Sequence, residues 1–298
     1  MRDPDVKAGV AGSTERGAAG AAGVRGGGAG GRAGTAKVMV AGLIAGFLSG
    51  LFGVGGGILM VPALVIVLSM GQRLAHGTSL AAIVPIALAA LIGYALDDKV
   101  DWPASVFLVV GAAGMGAIIG THLLHVVPQR ALTLTFACLL LASATRLVLD
   151  TTDASGRGDL TIGTALALVL VGVVTGVTSG LLGVGGGIVM IPAMVVFLGI
   201  PAAVAKGSSL AVIIPTAVVG TSRNVMKVNA DLRVAALVGL SGVVSSFGAS
   251  QISVGLDEEL SNRLFAGLLL VVAARLLWDN RRPQPGEGEP EGDQSVAR

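Results

Sequence analysis

Two clusters of glycine and small polar residues recur in this chain at a constant offset of 130 positions. The first is Ser49 with Gly55, Gly56 and Gly57, matched by Ser179 with Gly185, Gly186 and Gly187. The second is His76-Gly77-Thr78-Ser79, matched by Lys206-Gly207-Ser208-Ser209. Together they offer hydroxyls, backbone amides, one Lys and one His, a donor set that suits an anion. Three consecutive glycines disfavour a helix by about 1 kcal/mol each relative to Ala. Pro62 and Pro192, five residues on, remove a further backbone donor. We therefore expect the helix to unwind at each glycine knot and restart near residues 57–60 and 187–190. A helix start carries bare N–H groups and partial positive charge, which makes it an anion site. Ser49 and Ser179 would add hydroxyls from the preceding half-helix. Gly77-Thr78-Ser79 and Gly207-Ser208-Ser209 read as helix N-cap chemistry. Lys206 beside such a start makes sense if something negative lies nearby, and His76 can change charge near neutral pH.

Each of these residues also has a plainer use. Gly42, Gly46 and Gly50 continue the knot glycines at helical spacing, as a small-residue packing face would. A membrane Ser can bond its own i−4 carbonyl, and Lys206 can snorkel to the headgroups. His122 and His125 stand at i, i+3 with no carboxylate or Cys near them, so no metal site is expected. Arg146 with Asp150, and Arg275 with Asp279, read as interfacial i, i+4 anchors. Arg223-Asn224 stands where the first copy has Gly93-Tyr94, and reads as the cytoplasmic end of a segment. The lone Cys138 reads as a buried small hydrophobe.

Known nucleotide and catalytic motifs are missing. Ile58 and Ile188 stand where a phosphate loop needs Lys and where a dinucleotide fingerprint needs its third Gly. No nucleophile elbow, metalloprotease motif or carboxylate pair occurs within the apolar runs, so an enzyme is not expected. Neither a cofactor nor a nucleic-acid partner is implied.

The elements that position these clusters are apolar runs. Charged residues form 13% of the chain against 53% hydrophobic; a soluble domain carries about 25% charged residues. Five runs (38–72, 74–96, 102–129, 160–205 and 234–256) lack Lys, Arg and Glu, and about 20 such residues span a bilayer. The expected fold is an all-α, polytopic membrane protein. Its apolar segments fall near 38–68, 74–96, 103–122, 131–149, 160–199, 204–222, 234–254 and 261–278. The first and fifth are too long for one simple span, and they hold the knots.

Fourteen of the twenty residues at 46–65 recur at 176–195, so the chain reads as two homologous halves. The expected organisation is a basic disordered tail (1–36), a membrane repeat (37–150), a linker (151–159), a second repeat (160–281) and a disordered tail (282–298). If each long segment crosses once, each half has four crossings and the halves are parallel. If each dips in and returns, each half has three and the halves are inverted. The basic loop residues divide seven inside to four outside either way. Transporter precedent tilts the reading toward inversion. Both readings place the two termini in the cytoplasm.

The two paired signatures, read together over residues 38–278, resemble the TauE/SafE family of sulfite exporter-like membrane transporters. The resemblance implies a multi-pass plasma-membrane protein of prokaryotic type that moves small sulfur-containing anions such as sulfite or a sulfonate. It does not carry a particular cargo or direction. The expected function is a secondary transporter, in the export direction, with the lipid bilayer as its partner and H+ or Na+ as the coupling ion. A channel-like anion pore and a non-transporting assembly factor are the alternatives.

Overall fold

The structure, a computed structural model, describes residues 32–116, 129–149, 161–182, 186–226 and 229–281. Its regular elements are all helical, with no strand among the described residues. They are α1 (Arg32–Phe52), α2 (Gly57–Leu68), α3 (Gln72–Leu96), α4 (Trp102–Val109) and a π-helical stretch (Val110–Gly116). Then come α5 (Gln129–Leu149), α6 (Ile162–Leu182), α7 (Gly187–Leu198), α8 (Ala202–Met226), α9 (Leu232–Gly255) and α10 (Glu258–Arg281). Helix α1 takes in Arg32–Ala36, residues that composition alone assigns to the tail.

Both long apolar segments are broken helices. Gly53, Gly55 and Gly56 have φ of +69°, +80° and +71°, and Gly186 has +79°. That left-handed region is open to glycine because it has no Cβ to clash. The helices that restart, α2 and α7, are 12 residues long, or about 18 Å. That is short of the roughly 30 Å hydrocarbon core.

Helix directions follow from contacts at the two ends of α3 and α8. A Cβ at Gly77, near the start of α3, would run into the carbonyl oxygen of Asn229, just past the end of α8. A Cβ at Gly207, near the start of α8, would run into the carbonyl oxygen of Lys99, just past the end of α3. Each helix therefore begins where the other ends, and the two are antiparallel. Helix α9 starts at the Asn229 end and α4 at the Lys99 end.

Helix α1 runs alongside α9 in the same direction. Gly42 meets Val238 and Ser241, Gly46 meets Gly242, and Gly50 meets Ser246 and Ala249. Helix α6 likewise follows α4 and the π-helical stretch: Gly172 meets Leu108 and Gly111, and Gly176 meets Ala112. These glycines form the small-residue packing faces, letting backbones touch where lipid supplies little drive for association.

Helix α1 enters from the Asn229 end, and α2 leads back through three residues, 69–71, to the start of α3 at that same end. Helices α6 and α7 do the same from the Lys99 end, returning through 199–201 to α8. Two hairpins thus enter the bundle from opposite ends.

Large apolar side chains cover the outside. Ile44 and Phe47 on α1, Leu240 and Val244 on α9, and Leu270 and Val271 on α10 are all exposed. Such a surface would aggregate in water but suits lipid. Four helices among the described residues are long and apolar enough to cross a membrane: Thr35–Phe52, Arg73–Leu96, Ala202–Met226 and Leu232–Gly255.

Candidate functional site

The tips of the two hairpins touch. A Cβ at Gly187 would lie 2.9 Å from Val54 Cα in the opposite knot. Ile83 of α3 and Ile213 of α8 flank the same spot, with Ile213 3.2 Å and Ile83 3.5 Å from a Cβ at Gly55. Both isoleucines sit near the middle of their helices, so the tips meet inside the bundle. Gly56 lies against Ala45 O and Ser49 Cβ, at 2.8 and 3.4 Å from its would-be Cβ. The Ser49 hydroxyl beside it is fully buried and has no hydrogen-bond partner among the described residues. A buried hydroxyl left this way is destabilising by roughly 1–3 kcal/mol.

The helix starts are where the sequence places them. Gly56 and Gly186 are the N-caps of α2 and α7, and neither makes a side-chain cap bond. Met60 N–H donates to Gly56 O, and Val189 and Met190 N–H to Gly186 O. The amides before those first bonds have no intrahelical acceptor, as at any helix start. Ser49, Gly55, Gly56, Gly57, Gly186 and Gly187 are thus brought together. The backbone of Ser179 lies in α6, but its side chain, and all of Gly185, lie outside the described residues, as do His122, His125, Asp150 and Arg157.

The second signature does something other than N-capping. Helices α3 and α8 start at Gln72 and Ala202, so His76–Ser79 and Lys206–Ser209 lie within helix rather than at its start. The difference has a physical reason: Ser and Thr suit a cap, but they also satisfy themselves within a helix by bonding a carbonyl one turn back. Ser79 Oγ donates to His76 O at 2.8 Å. Ser209 Oγ divides its proton between Lys206 O and Gly53 O, both at 2.6 Å, tying α8 to the first knot.

Thr78 and Ser208 act as acceptors across the fold. Thr78 Oγ1 accepts from Asp231 N–H at 2.9 Å, and Ser208 Oγ accepts from Asp101 N–H at 2.8 Å. Asp231 and Asp101 in turn cap α9 and α4 with their carboxylates. Hydroxyls from one copy of the signature therefore hold the helix start that belongs to the other copy.

Lys206 does not snorkel: it is 1% exposed. Its Nζ donates to Ser261 Oγ at 2.7 Å and lies 5.3 Å from the centroid of the Phe265 ring. No carboxylate pairs with it among the described residues. Phe265 stacks on Phe52, at the edge of the first knot. His76, at the equivalent position in α3, is half-buried.

Other contacts escaped the sequence reading. Tyr94 donates its hydroxyl toward Gly50 O at 3.0 Å and Leu51 O at 3.3 Å, and lies 2.9 Å from Ser253 Oγ. It thereby satisfies carbonyls at the broken end of α1, which helix geometry leaves open. As the only tyrosine in an aromatic-poor chain, its place inside an apolar run was the available signal. Arg146 donates to Val196 O in the last turn of α7, and Ser143 to Pro192 O. Arg146 therefore caps the half-helix of the second hairpin. Cys138 is exposed rather than buried, because it lies on the outer face of α5.

Comparison with known proteins gives a consistent picture. The family model described as sulfite exporter TauE/SafE matches residues 11–147 and 168–297. A probable membrane transporter protein of Xylella fastidiosa is 30% identical over 247 residues, covering 80% of this chain and 93% of its own. The probable membrane transporter protein YunE of Bacillus subtilis is 27% identical over 212 residues, covering 62% and 76%. A probable membrane transporter protein of Methanocaldococcus jannaschii is 30% identical over 162 residues, covering 52% and 59%. No solved structure matches the chain.

Proposed function

The chain belongs to the sulfite exporter TauE/SafE family of membrane transporters, and from that premise we propose that it is a secondary exporter of a small sulfur-containing anion such as sulfite or a sulfonate. The observation that carries this reading is the meeting of two glycine-tipped hairpins inside the bundle, at Val54 and Gly187, beside the Ser49 hydroxyl, which has no hydrogen-bond partner among the described residues. Half-helix starts pointing at a common spot offer an anion amides and partial positive charge from both hairpins.

The transporting unit consists of repeats 37–150 and 160–281, inverted across the bilayer of the cell membrane. The antiparallel course of α3 and α8, and the entry of the hairpins from opposite ends, support that inversion. An inverted pair lets the same site open to either side by rocking of one set of elements against the other. The coupling ion is H+ or Na+. The basic N-terminal tail keeps both termini in the cytoplasm.

Orientation is tested by Lys99→Cys and Arg157→Cys, each in a Cys138→Ser background, with a membrane-impermeant thiol reagent added outside intact cells. Inverted halves put both positions outside, so both should label; protection of both would mean parallel halves.

The site is tested by titrating purified protein in nanodiscs with sulfite, thiosulfate, methanesulfonate, acetate, Na+ and an alkylamine. We expect a sulfur anion to bind tightest. Ser49→Ala removes one hydrogen bond to a charged group, worth about 1.5–3 kcal/mol, so affinity should fall roughly ten- to hundredfold. Unchanged affinity in Ser49→Ala would place the site elsewhere. Tighter binding of Na+ or the amine than of any anion would overturn the substrate class.

A further inference from the structure

Lys206 is a buried cation whose present partners do not satisfy it. An ammonium has three donors and no acceptor capacity. Here one donor meets Ser261 Oγ at 2.7 Å, and the charge faces the Phe265 ring at 5.3 Å. Burying a charge without an opposite charge is strongly unfavourable, and a hydroxyl plus a ring face recovers only part of that penalty. The stem of the same residue is fixed at the hairpin tip: Lys206 Cα and Cβ would both lie 2.7 Å from a Cβ at Gly53. Its carbonyl is held by Ser209, which also holds Gly53 O. The backbone of Lys206 is thus locked to the knot, while its ammonium is carried by a flexible four-carbon stem toward α10.

We propose that Ser261 and Phe265 form a resting cradle for the Lys206 ammonium, and that the transported anion draws it out of that cradle to the hairpin tips. This rests on the anion site proposed above and adds the two residues that compete with it. A full negative charge is a better partner for an ammonium than a hydroxyl and a ring, so the exchange is favourable once an anion arrives. Release from Ser261 also unties α8 from the start of α10, giving α10 a different set of contacts in the loaded protein. His76 occupies the equivalent position in α3 on a shorter, stiffer side chain, so the swing belongs to only one of the two signatures.

Competition predicts an unusual sign. Ser261→Ala and Phe265→Leu should each tighten anion binding, by about threefold to tenfold, because the resting state loses part of its hold on the ammonium. Lys206→Gln should weaken binding by at least tenfold. The gain from Ser261→Ala should vanish when Lys206→Gln is present, since there is no longer an ammonium to release. The measurement is titration of the wild type and these four variants, the double variant included, in nanodiscs with sulfite, thiosulfate and methanesulfonate, with thermal midpoints recorded to confirm folding. Weaker or unchanged binding in folded Ser261→Ala and Phe265→Leu, with Lys206→Gln still impaired, overturns the cradle and leaves the anion site standing. Weaker binding in Ser261→Ala alone would make that hydroxyl a ligand of the anion itself. Wild-type affinity in Lys206→Gln would remove Lys206 from the site, and the cradle with it.

Discussion

Gly56→Leu is expected to abolish anion flux in a protein that still inserts and folds. Two effects act together at this position. The backbone φ is +71°, a conformation that disfavours an L side chain by roughly 1–2 kcal/mol. The added Cβ would sit 2.8 Å from Ala45 O and 3.4 Å from Ser49 Cβ, so the rest of the Leu side chain must spread into the space between α1 and the start of α2. That is where the anion site proposed above would use the Ser49 hydroxyl and the first amides of α2. Gly186→Leu, at φ +79° on the opposite tip, should act alike. Gly71→Leu is the control, since φ there is −59° and no atom lies within 4 Å of its would-be Cβ. Flux of labelled sulfite into proteoliposomes, with thermal unfolding alongside, separates the outcomes. Normal flux in folded Gly56→Leu would make the knots packing devices.

The breaks themselves were readable because they are local. Three glycines followed by a proline disfavour helix whatever surrounds them, and α1 does stop at Phe52 and restart at Gly57. The packing use of Gly42 and Gly46 was readable for the same reason, from spacing alone. What pairs across the fold was not. Thr78 meets Asp231, and Ser208 meets Asp101, over sequence separations that no local pattern reports. Relative direction was equally hidden, because Lys99, Arg157, Arg73 and Arg130 balance in either topology; it is the contacts Gly77–Asn229 and Gly207–Lys99 that order the helices. Lys206 was legible as an unusual charge but not as a buried one. Its partners Ser261 and Phe265 sit on a helix more than fifty residues away, and neither type is remarkable in an apolar run.

Gly77→Ala and Gly207→Ala should lower the thermal midpoint, against the direction that helix propensity alone predicts. Both glycines lie within helices, where Ala is favoured over Gly by about 1 kcal/mol. The tertiary contact opposes this. A methyl at Gly77 would run into Asn229 O and come within 3.1 Å of Asn224 Cβ. At Gly207 it would run into Lys99 O and come within 3.1 Å of Tyr94 Cβ. Neither carbonyl can simply turn aside. Asn229 N–H is held by Asn224 O and Lys99 N–H by Tyr94 O, and two residues on Asp231 and Asp101 are held by Thr78 and Ser208. Overpacking of a fixed site is destabilising by roughly 1–3 kcal/mol, enough to exceed the propensity gain. Gly248→Ala and Gly267→Ala supply the contrast: both sit in helices with nothing within 4 Å of a would-be Cβ, so each should gain up to about 1 kcal/mol. Thermal unfolding of the four variants in nanodiscs should therefore divide them into two pairs of opposite sign. A rise in midpoint for Gly77→Ala and Gly207→Ala matching that of Gly248→Ala would mean that the crossed contacts at the two ends of α3 and α8 do not hold the antiparallel helices together.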